Sequence, residues 1–581
     1  MSAKPMNAEP MPERPGARPV LEVRDLSVGF ELGEQTIDVV RRASFDLMRG
    51  ETLCVVGESG SGKSVTARAL MQIAKPGRIT AGSITLRTTD GQTTAIAALD
   101  ANSATMQAIR GNRIGMVFQE PMSSLSPVHT IGAQIVETLQ LHRDIGADDA
   151  RAAGVEALRR VQIPDPENAM DKYAFEFSGG MRQRAMIAMA LSCEPDVLIA
   201  DEPTTALDVT TQAEILRLIR RLQAELGMSV LFITHDMGVV AEIADRVAVM
   251  YRGELLEIGP VQQVFHAPVA DYTRHLIQAS LRFTITGDHD RGGTLPVADA
   301  PPLLEIKGLN LSFRKSSGLL IRKVRTFHAL KDICLTLRRG ENLGIVGESG
   351  SGKTTLVRAL VGLVPADSGT AHYRSADGRS FDLLEKGALR KAGLNREIRM
   401  VFQDPFSSLN PRMTVEQVIG EPLLIEGVLS RADRRAKVSR LLDRVGLPRT
   451  VLSRYPHAFS GGQRQRISIA RALSVDPQLI IADEATSALD GSIRSQILDL
   501  MFELQSELGL SYLFVGHDLG VVRYFCDRIA VMHQGSLVEI GDAARVCQRP
   551  ECDYTKRLIA AVPGVDPERR RLLANRAPLH E

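Results

Sequence analysis

The segment Gly57-Glu58-Ser59-Gly60-Ser61-Gly62-Lys63-Ser64 lies between the apolar run Leu53–Val56 and a helical pattern that starts at Val65. It has the form G-x-x-x-x-G-K-[ST] in the strand–loop–helix setting that this form requires. Gly57, Gly60 and Gly62 let successive backbone N–H groups turn inward around phosphate oxygens, where a Cβ would crowd them. The helix that follows points its positive end at the same anion. Lys63 is placed to reach the β- and γ-phosphates of a nucleotide, and the Ser64 hydroxyl suits Mg²⁺. The segment recurs as Gly347-Glu348-Ser349-Gly350-Ser351-Gly352-Lys353-Thr354, 290 positions later (347 − 57). A glycine-rich surface turn explains one such match far better than two, so nucleotide binding in duplicate is the expectation.

The rest of the chain repeats with it. After a tail at residues 1–19, rich in Pro and charge and poor in anything to bury, Leu21–Phe30 alternates apolar and polar as a strand does. Phe45–Leu47, Glu51–Val56 and Arg113–Gln119 read as further strands, Val65–Ile73 as a helix, and the stretch to Phe177 as mostly helical. Phe177-Ser178-Gly179-Gly180-Met181 opens another helix. Val197–Ala200, apolar throughout, reads as a strand buried on both faces of a parallel sheet and ends in Asp201-Glu202. Helix 211–226, strand Ser229–Thr234 with His235 at its end, and a hairpin over Arg246–Ile258 lead to a helical stretch ending near Leu281. Residues 283–301 are turn-rich and read as a linker. Then Leu304–Phe313, Phe402-Gln403, Phe459-Ser460-Gly461-Gly462, Leu479–Glu484 and His517 return in order, with a steady offset of 282 from the Gly-Gly pair to the histidine (462 − 180, 484 − 202, 517 − 235). Two copies of one α/β domain with a mostly parallel sheet follow, spanning 20–282 and 302–563, with a C-terminal tail at 564–581.

Composition sets limits on partners. With 70 basic and 69 acidic residues the formal net charge of the 581-residue chain is +1, a poor footprint for a nucleic-acid binder. No run approaches the roughly 18–20 apolar residues that span a bilayer, and Met1–Pro19 lacks the apolar region of a secretory signal. Six scattered cysteines, at 54, 193, 334, 526, 547 and 552, read as reduced thiols of a cytosolic protein. Work at a membrane would then require docking to a partner already there.

The paired acids at strand ends carry the chemistry. In an open parallel sheet ligands collect at the carboxyl ends of the strands, where the phosphate loop also sits. One carboxylate of Asp201-Glu202, and of Asp483-Glu484, can hold Mg²⁺, and the other can polarise an attacking water. His235 and His517, at matched positions after matched strands, are expected to contact the γ-phosphate; Gln119 and Gln403 gain their place from the repeat alone. The Ser-Gly-Gly helix starts, with Ser178 and Gly180, and Ser460 and Gly462, are a second anion-binding design in a domain that already has one. Head-to-tail pairing resolves this: each half offers its segment to the nucleotide held by the other. Two ATPs are then sandwiched between halves paired within one chain, and hydrolysis releases the joint.

This motif set resembles the ATP-binding cassette (ABC) family over nearly the full chain, through phosphate loop, glutamine loop, Ser-Gly-Gly segment, Asp-Glu strand, Ala-Leu-Asp loop (Ala206–Asp208, Ala488–Asp490) and switch histidine. The resemblance implies two tandem P-loop ATPase domains, each with a parallel core, an antiparallel β subdomain and a helical subdomain. It implies ATP contacts from Gly57, Ser59, Gly60, Gly62, Lys63 and Ser64, and from Gly347, Ser349, Gly350, Gly352, Lys353 and Thr354, with Phe30 and Phe313 on adenine and Phe327 a rival to the latter. Mg²⁺ falls to Ser64, Gln119 and Asp201, and to Thr354, Gln403 and Asp483; catalysis to Glu202, Glu484, His235 and His517. The segments Phe118–Pro127 and Phe402–Pro411, with Asp271-Tyr272-Thr273 and Asp553-Tyr554-Thr555, are similar to the dipeptide/oligopeptide/nickel import subgroup. That likeness implies an ATP-hydrolysing, energy-coupling subunit on the cytoplasmic face of the inner membrane, serving two permease subunits and a separate substrate-binding protein.

Met181 stands where the family's signature has glutamine, so the site built on Lys353 is expected to be tuned differently; Ala485 for Pro203 is expected to matter little. Cys547 and Cys552 lack the partners of an iron–sulfur cluster. A soluble tandem ABC ATPase acting on ribosomes or nucleic acid is the alternative, set back by a short mixed linker and no paired C-x-x-C zinc spacing. A non-hydrolysing scaffold conflicts with two intact acid pairs. The basic run Glu568–Arg571 reads as solvated.

Overall fold

The computed structural model describes residues 18–33, 35–205, 207–284, 302–317, 323–391, 393–404, 408–427, 430–487 and 489–574. Most of the expected tail 1–19 and linker 283–301, the end of the tail 564–581, Ala206, Ala488 and Pro405–Ser407 lie outside these residues. The described residues form two compact units, one drawn from the spans Met1–Leu207, Glu214–Ile277 and Pro563–Ala574, the other from Asp208–Ala213 and Gln278–Val562.

In the first unit a six-stranded sheet runs in the order Glu254–Pro260, Arg246–Tyr251, Thr52–Val56, Ser229–Ile233, Val197–Asp201, Ile114–Val117. Its neighbours are parallel except for the hairpin strand Glu254–Pro260 at the edge. Thr52–Val56, Val197–Asp201 and Ser229–Ile233 are buried at every position, which is why they carry apolar residues without alternation. A four-stranded antiparallel sheet in the order Gln35–Leu47, Leu21–Leu32, Arg78–Arg87, Thr93–Ala95 packs its apolar face into the same core, Val23, Val28, Phe45 and Ile84 meeting Leu53 and Ala67. Helices Ile131–His142, Ala147–Arg160 and Gly179–Leu191 make up the helical part. The 18-residue helix Val209–Leu226 buries Ile215, Ile219 and Leu222 on one face, the i, i+4, i+7 stripe of an amphipathic helix.

The second unit has the same plan. Its six-stranded sheet runs Ile398–Val401, Leu479–Asp483, Ser511–Val515, Asn342–Val346, Arg528–His533, Ser536–Asp542, and its four-stranded sheet runs Lys323–Arg338, Pro302–Ser317, Ser368–Arg374, Ser380–Asp382. Element for element, the α/β reading with a mostly parallel sheet holds in both units. Differences are local. The first strand pair is longer than Phe45–Leu47 suggests: its outer end Gln35–Asp38 is exposed, Ile37 included at 48%, so burial does not mark it as part of the strand.

Residues Pro563–Ala574 do not lie loose in solvent. Glu242, 1% exposed, accepts the backbone N–H groups of Gly564, Arg571 and Leu572 at 3.1–3.2 Å. Burial pushes the Glu242 carboxyl above its usual range, and those three N–H groups work against that rise. Arg217 donates to the carbonyl of Leu572 at 2.8 Å, Arg570 to that of Ala244, and the Leu572 side chain is fully buried. The expectation of a solvated Glu568–Arg571 therefore needs correcting at Arg570: Glu568, Arg569 and Arg571 are exposed, but they ride on a segment pinned at both ends. Leu572→Ala is expected to raise the rate of tryptic cleavage at Arg569–Arg571 by about tenfold or more through loss of the buried anchor, measured by limited proteolysis; an unchanged rate would show that Leu572 does not hold the segment.

Candidate functional site

Each phosphate loop owes its shape to crowded backbone positions that only glycine fits. Gly57, at φ 150°, sits so close to the Met250 carbonyl that a Cβ would lie 2.1 Å from it, and Gly347, at φ 154°, meets the Met532 carbonyl in the same way at 2.2 Å. Gly62, at φ 101°, turns the chain into the helix Lys63–Leu70, which therefore begins two residues before the apolar pattern suggests. Lys63 Nζ donates to the carbonyls of Gly57 and Glu58 at 2.7 and 2.8 Å, and Lys353 Nζ to those of Gly347 and Glu348 at 2.7 and 2.8 Å. Both lysines are 5% exposed, and burial pulls the Lys353 ammonium below the usual lysine range.

The strand Val197–Asp201 delivers its two acids beside this loop. Ser64 Oγ donates to Asp201 Oδ1 at 2.8 Å. Around Glu202, Gln119 Nε2 and Thr205 Oγ1 donate to Oε2 at 2.8 and 2.9 Å, while His235 Nδ1 lies 3.2 Å from Oε1. The second unit repeats the cluster: Gln403 Nε2 donates to Glu484 Oε2 at 2.7 Å, and His517 Nδ1 lies 3.2 Å from the same oxygen. The structure thus brings the loop serine, both acids, the glutamine and the histidine of the first unit together, and the acid, glutamine and histidine of the second. Thr205 escaped sequence reading, since a threonine three residues past an acid has no signal of its own. Glu202 and Glu484 both have φ 47°, a left-handed backbone that side-chain-bearing residues seldom adopt, which turns each carboxylate out of the strand line.

The two acids of each pair are driven apart electrostatically. Burial raises the Asp201 carboxyl above its usual range, and raises Asp483 to about 6. Burial also pushes Glu202 upward, but the imidazole of His235 and the hydroxyl of Thr205 outweigh it and bring the carboxyl down to about 2; His517 likewise lowers Glu484. One oxygen of each aspartate, Asp201 Oδ2 and Asp483 Oδ1, is buried without a hydrogen-bond partner. An orphaned carboxylate oxygen beside a loop hydroxyl fits a hard divalent cation, whose ligands are oxygens. Among the described residues no group of three or more His, Cys, Asp or Glu could hold a metal ion, so a cation here would take its remaining ligands from phosphate and water.

Ser178 and Ser460 form separate features, exposed at the starts of helices Gly179–Leu191 and Gly461–Leu473. Ser178 Oγ accepts the N–H of Met181 at 3.3 Å; Ser460 Oγ accepts that of Gln463 at 3.4 Å, and Gln463 returns the favour by accepting the Ser460 N–H at 3.2 Å. Met181 has no acceptor for that return bond, which gives the substitution a physical meaning: the first helix start is half-capped. Gly180 and Gly462 occupy the first turns of these helices. Phe30 is half-buried, its ring on Gly77, whereas Phe313 (45% exposed) and Phe327 (62%) stand directly opposite each other across an antiparallel pair, so both remain candidates for stacking.

The ABC transporter family profile matches residues 40–205 and 330–487, and the profile of the oligopeptide/dipeptide transporter C-terminal region matches 256–302 and 538–580. The glutathione import ATP-binding protein GsiA of Escherichia coli (strain K12) is 48% identical over 572 residues, covering 95% of this chain and 91% of that protein. The protein of the same name from Salmonella typhimurium is 48% identical over 576 residues, 96% and 91% of the two chains. Among solved structures, cbiO1 from Clostridium perfringens, part of the ABC transporter complex cbiONQ, is 30% identical, covers 43% of this chain and 92% of that one, and has a TM-score of 0.36.

Two outcomes follow from the geometry. Because the folded-state pKa of Glu202 is depressed from 4.5 to about 2, its stabilising contribution is complete above the unfolded value and disappears as the pH falls through that interval. The difference in melting temperature between the parent and Glu202→Gln is expected to shrink between about pH 5 and 3; a flat or widening difference overturns the assignment. Met181→Gln restores the missing cap bond and is expected to stabilise the first helix start by about 0.5–1 kcal/mol, read as a raised melting temperature.

Proposed function

Because the chain belongs to the ABC transporter family, as an ATP-hydrolysing import subunit with the oligopeptide/dipeptide transporter C-terminal region in both halves, we propose that it powers uptake of a peptide-class solute, glutathione or a small peptide like it. The 48% identity to the glutathione import proteins, across nearly the full length of both chains, supports that class of cargo. They lend the ribosome or nucleic-acid reading no support.

The observation that carries the mechanism is the twofold recurrence of a lowered glutamate, bonded to glutamine and histidine, next to an aspartate with an orphaned oxygen. In this reading the loop N–H groups and Lys63 or Lys353 take the β- and γ-phosphates of ATP. Ser64, Gln119 and Asp201, and Thr354, Gln403 and Asp483, would hold Mg²⁺, which would supply neutralisation of phosphate charge when bound. Glu202 and Glu484 orient the attacking water and accept its proton, while the γ-phosphate leaves as inorganic phosphate and ADP remains. A carboxyl held near 2 is a feeble base. His235 and Thr205 keep it so; a γ-phosphate that draws the imidazole to itself removes part of that restraint and adds negative charge, so the glutamate becomes a better base beside it.

Each serine-headed helix, Ser178-Gly180 and Ser460-Gly462, completes the site of the other half, so that two ATPs are sandwiched; the duplicated motif set supports this. The subunit docks on two permease subunits at the cytoplasmic face of the inner membrane, and a separate substrate-binding protein delivers the solute to those permeases. In keeping with that, no described helix is long and apolar enough to cross a membrane. Glu202→Gln together with Glu484→Gln is expected to cut steady-state ATPase activity by about 10²–10⁴-fold while the protein retains bound ATP; undiminished phosphate release refutes the roles given to the two acids.

A further inference from the structure

The family chemistry leaves one pair of side chains unused. In the first unit the helix Asp271–Leu281 presents Tyr272, whose hydroxyl oxygen accepts the N–H of Glu58 at 3.0 Å. In the second unit the helix Asp553–Ala560 presents Tyr554, whose hydroxyl accepts the N–H of Glu348 at 3.1 Å. Glu58 and Glu348 are the second residues of the two phosphate loops, and their carbonyls are the ones that Lys63 and Lys353 hold at 2.8 Å. One residue at the mouth of each loop is therefore gripped from both sides, its C=O by the lysine and its N–H by a tyrosine more than two hundred positions away in sequence.

A neighbouring ring and a carboxylate hold each tyrosine's helix in place. The Tyr272 ring lies 4.4 Å from that of Tyr251, and the Tyr554 ring 3.9 Å from that of His533. Tyr251 and His533 directly follow Met250 and Met532, whose carbonyls press on Gly57 and Gly347 at the start of the loops. Behind each helix a glutamate on the hairpin strand clamps the approach: Glu257 accepts the N–H groups of Val269 and Ala270 at 2.8 and 3.1 Å, and Glu539 those of Glu551 and Cys552 at 3.0 and 3.1 Å. The ring partner differs between the copies, a tilted tyrosine in one and a stacked histidine in the other, while the hydroxyl-to-loop bond and the carboxylate clamp recur.

We propose that Tyr272 and Tyr554 are positioning residues through which the oligopeptide/dipeptide-type C-terminal region sets the ATP affinity of each phosphate loop. When phosphate arrives, it competes for the lysine ammonium that holds the Glu58 or Glu348 carbonyl. The tyrosine bond then remains as the fixed hold on that residue, and it keeps the loop from having to reorder as ATP binds. A loop that must order on binding loses affinity to that ordering.

The proposal rests on the phosphate-loop reading and is tested on the full chain with Tyr272→Phe and Tyr554→Phe, which keep the ring and its stacking and delete the hydroxyl. Each is expected to raise the KM for ATP, and the dissociation constant measured with ATP by titration calorimetry, by roughly three- to tenfold, with kcat within about twofold and an unchanged melting temperature. Glu257→Gln, which weakens the clamp but leaves the hydroxyl, is expected to shift affinity in the same direction by less. Unchanged ATP affinity in both phenylalanine variants overturns the proposal, as does a lowered melting temperature with KM unmoved, the mark of a merely structural tyrosine. Failure of the parent chain to bind ATP at all would instead overturn the phosphate-loop reading.

Discussion

A positive charge taken out of water is the constraint around which each half is built. The ammonium groups of Lys63 and Lys353 are nearly buried, and an isolated buried charge costs several kcal/mol. Two backbone carbonyls of the loop answer that charge, which obliges the loop to curl over the lysine, and the curl is possible because glycine stands at the points of closest approach. The first of those points is the carbonyl of the strand Arg246–Tyr251, so the hairpin that follows the core is as necessary to the loop as the strand that precedes it. A phosphate could take the place of the two loop carbonyls at the ammonium, and in that sense the loop is arranged for an anion.

The acids show the same economy. Asp201 and Glu202 are adjacent in sequence and both largely buried, yet one is pushed up in proton affinity and the other down. The difference comes from what surrounds them: for the aspartate burial outweighs the single Ser64 hydroxyl, whereas for the glutamate the His235 imidazole and the Thr205 hydroxyl outweigh burial. Neighbouring carboxyls with opposed affinities are the usual means of giving two like groups two roles.

Much of this was legible in the sequence because it rests on patterns that burial imposes. The strands Thr52–Val56 and Val197–Asp201 declare themselves by apolar runs, and the duplicated spacing locates Gln119 and His235 without any structure. What was illegible rests on backbone or on distance. The outer end of Gln35–Leu47 pairs with Leu21–Leu32 by backbone groups while its side chains, Ile37 among them, stay exposed, so burial leaves no mark there. Glu568–Arg571 reads as a solvated basic run, yet the segment that carries it is attached to Glu242 through main-chain N–H groups that almost any sequence provides. Tyr272 was visible as a marker of kinship, but that its hydroxyl meets the loop depends on the path of the chain between residues 58 and 272, to which no local pattern refers.

The left-handed backbone at Glu202 and Glu484 bears on how amino-acid replacements there should be understood. A branched residue such as valine or isoleucine at either position meets a steric penalty of about 1–3 kcal/mol before any chemistry is lost. Inactivity in such a variant would report a displaced strand end, with the aspartate beside it moved as well. Glutamine, unbranched and of nearly the same volume, carries far less of that confusion. The geometry of one torsion angle therefore decides which replacements interrogate the carboxylate and which merely rebuild the corner that carries it.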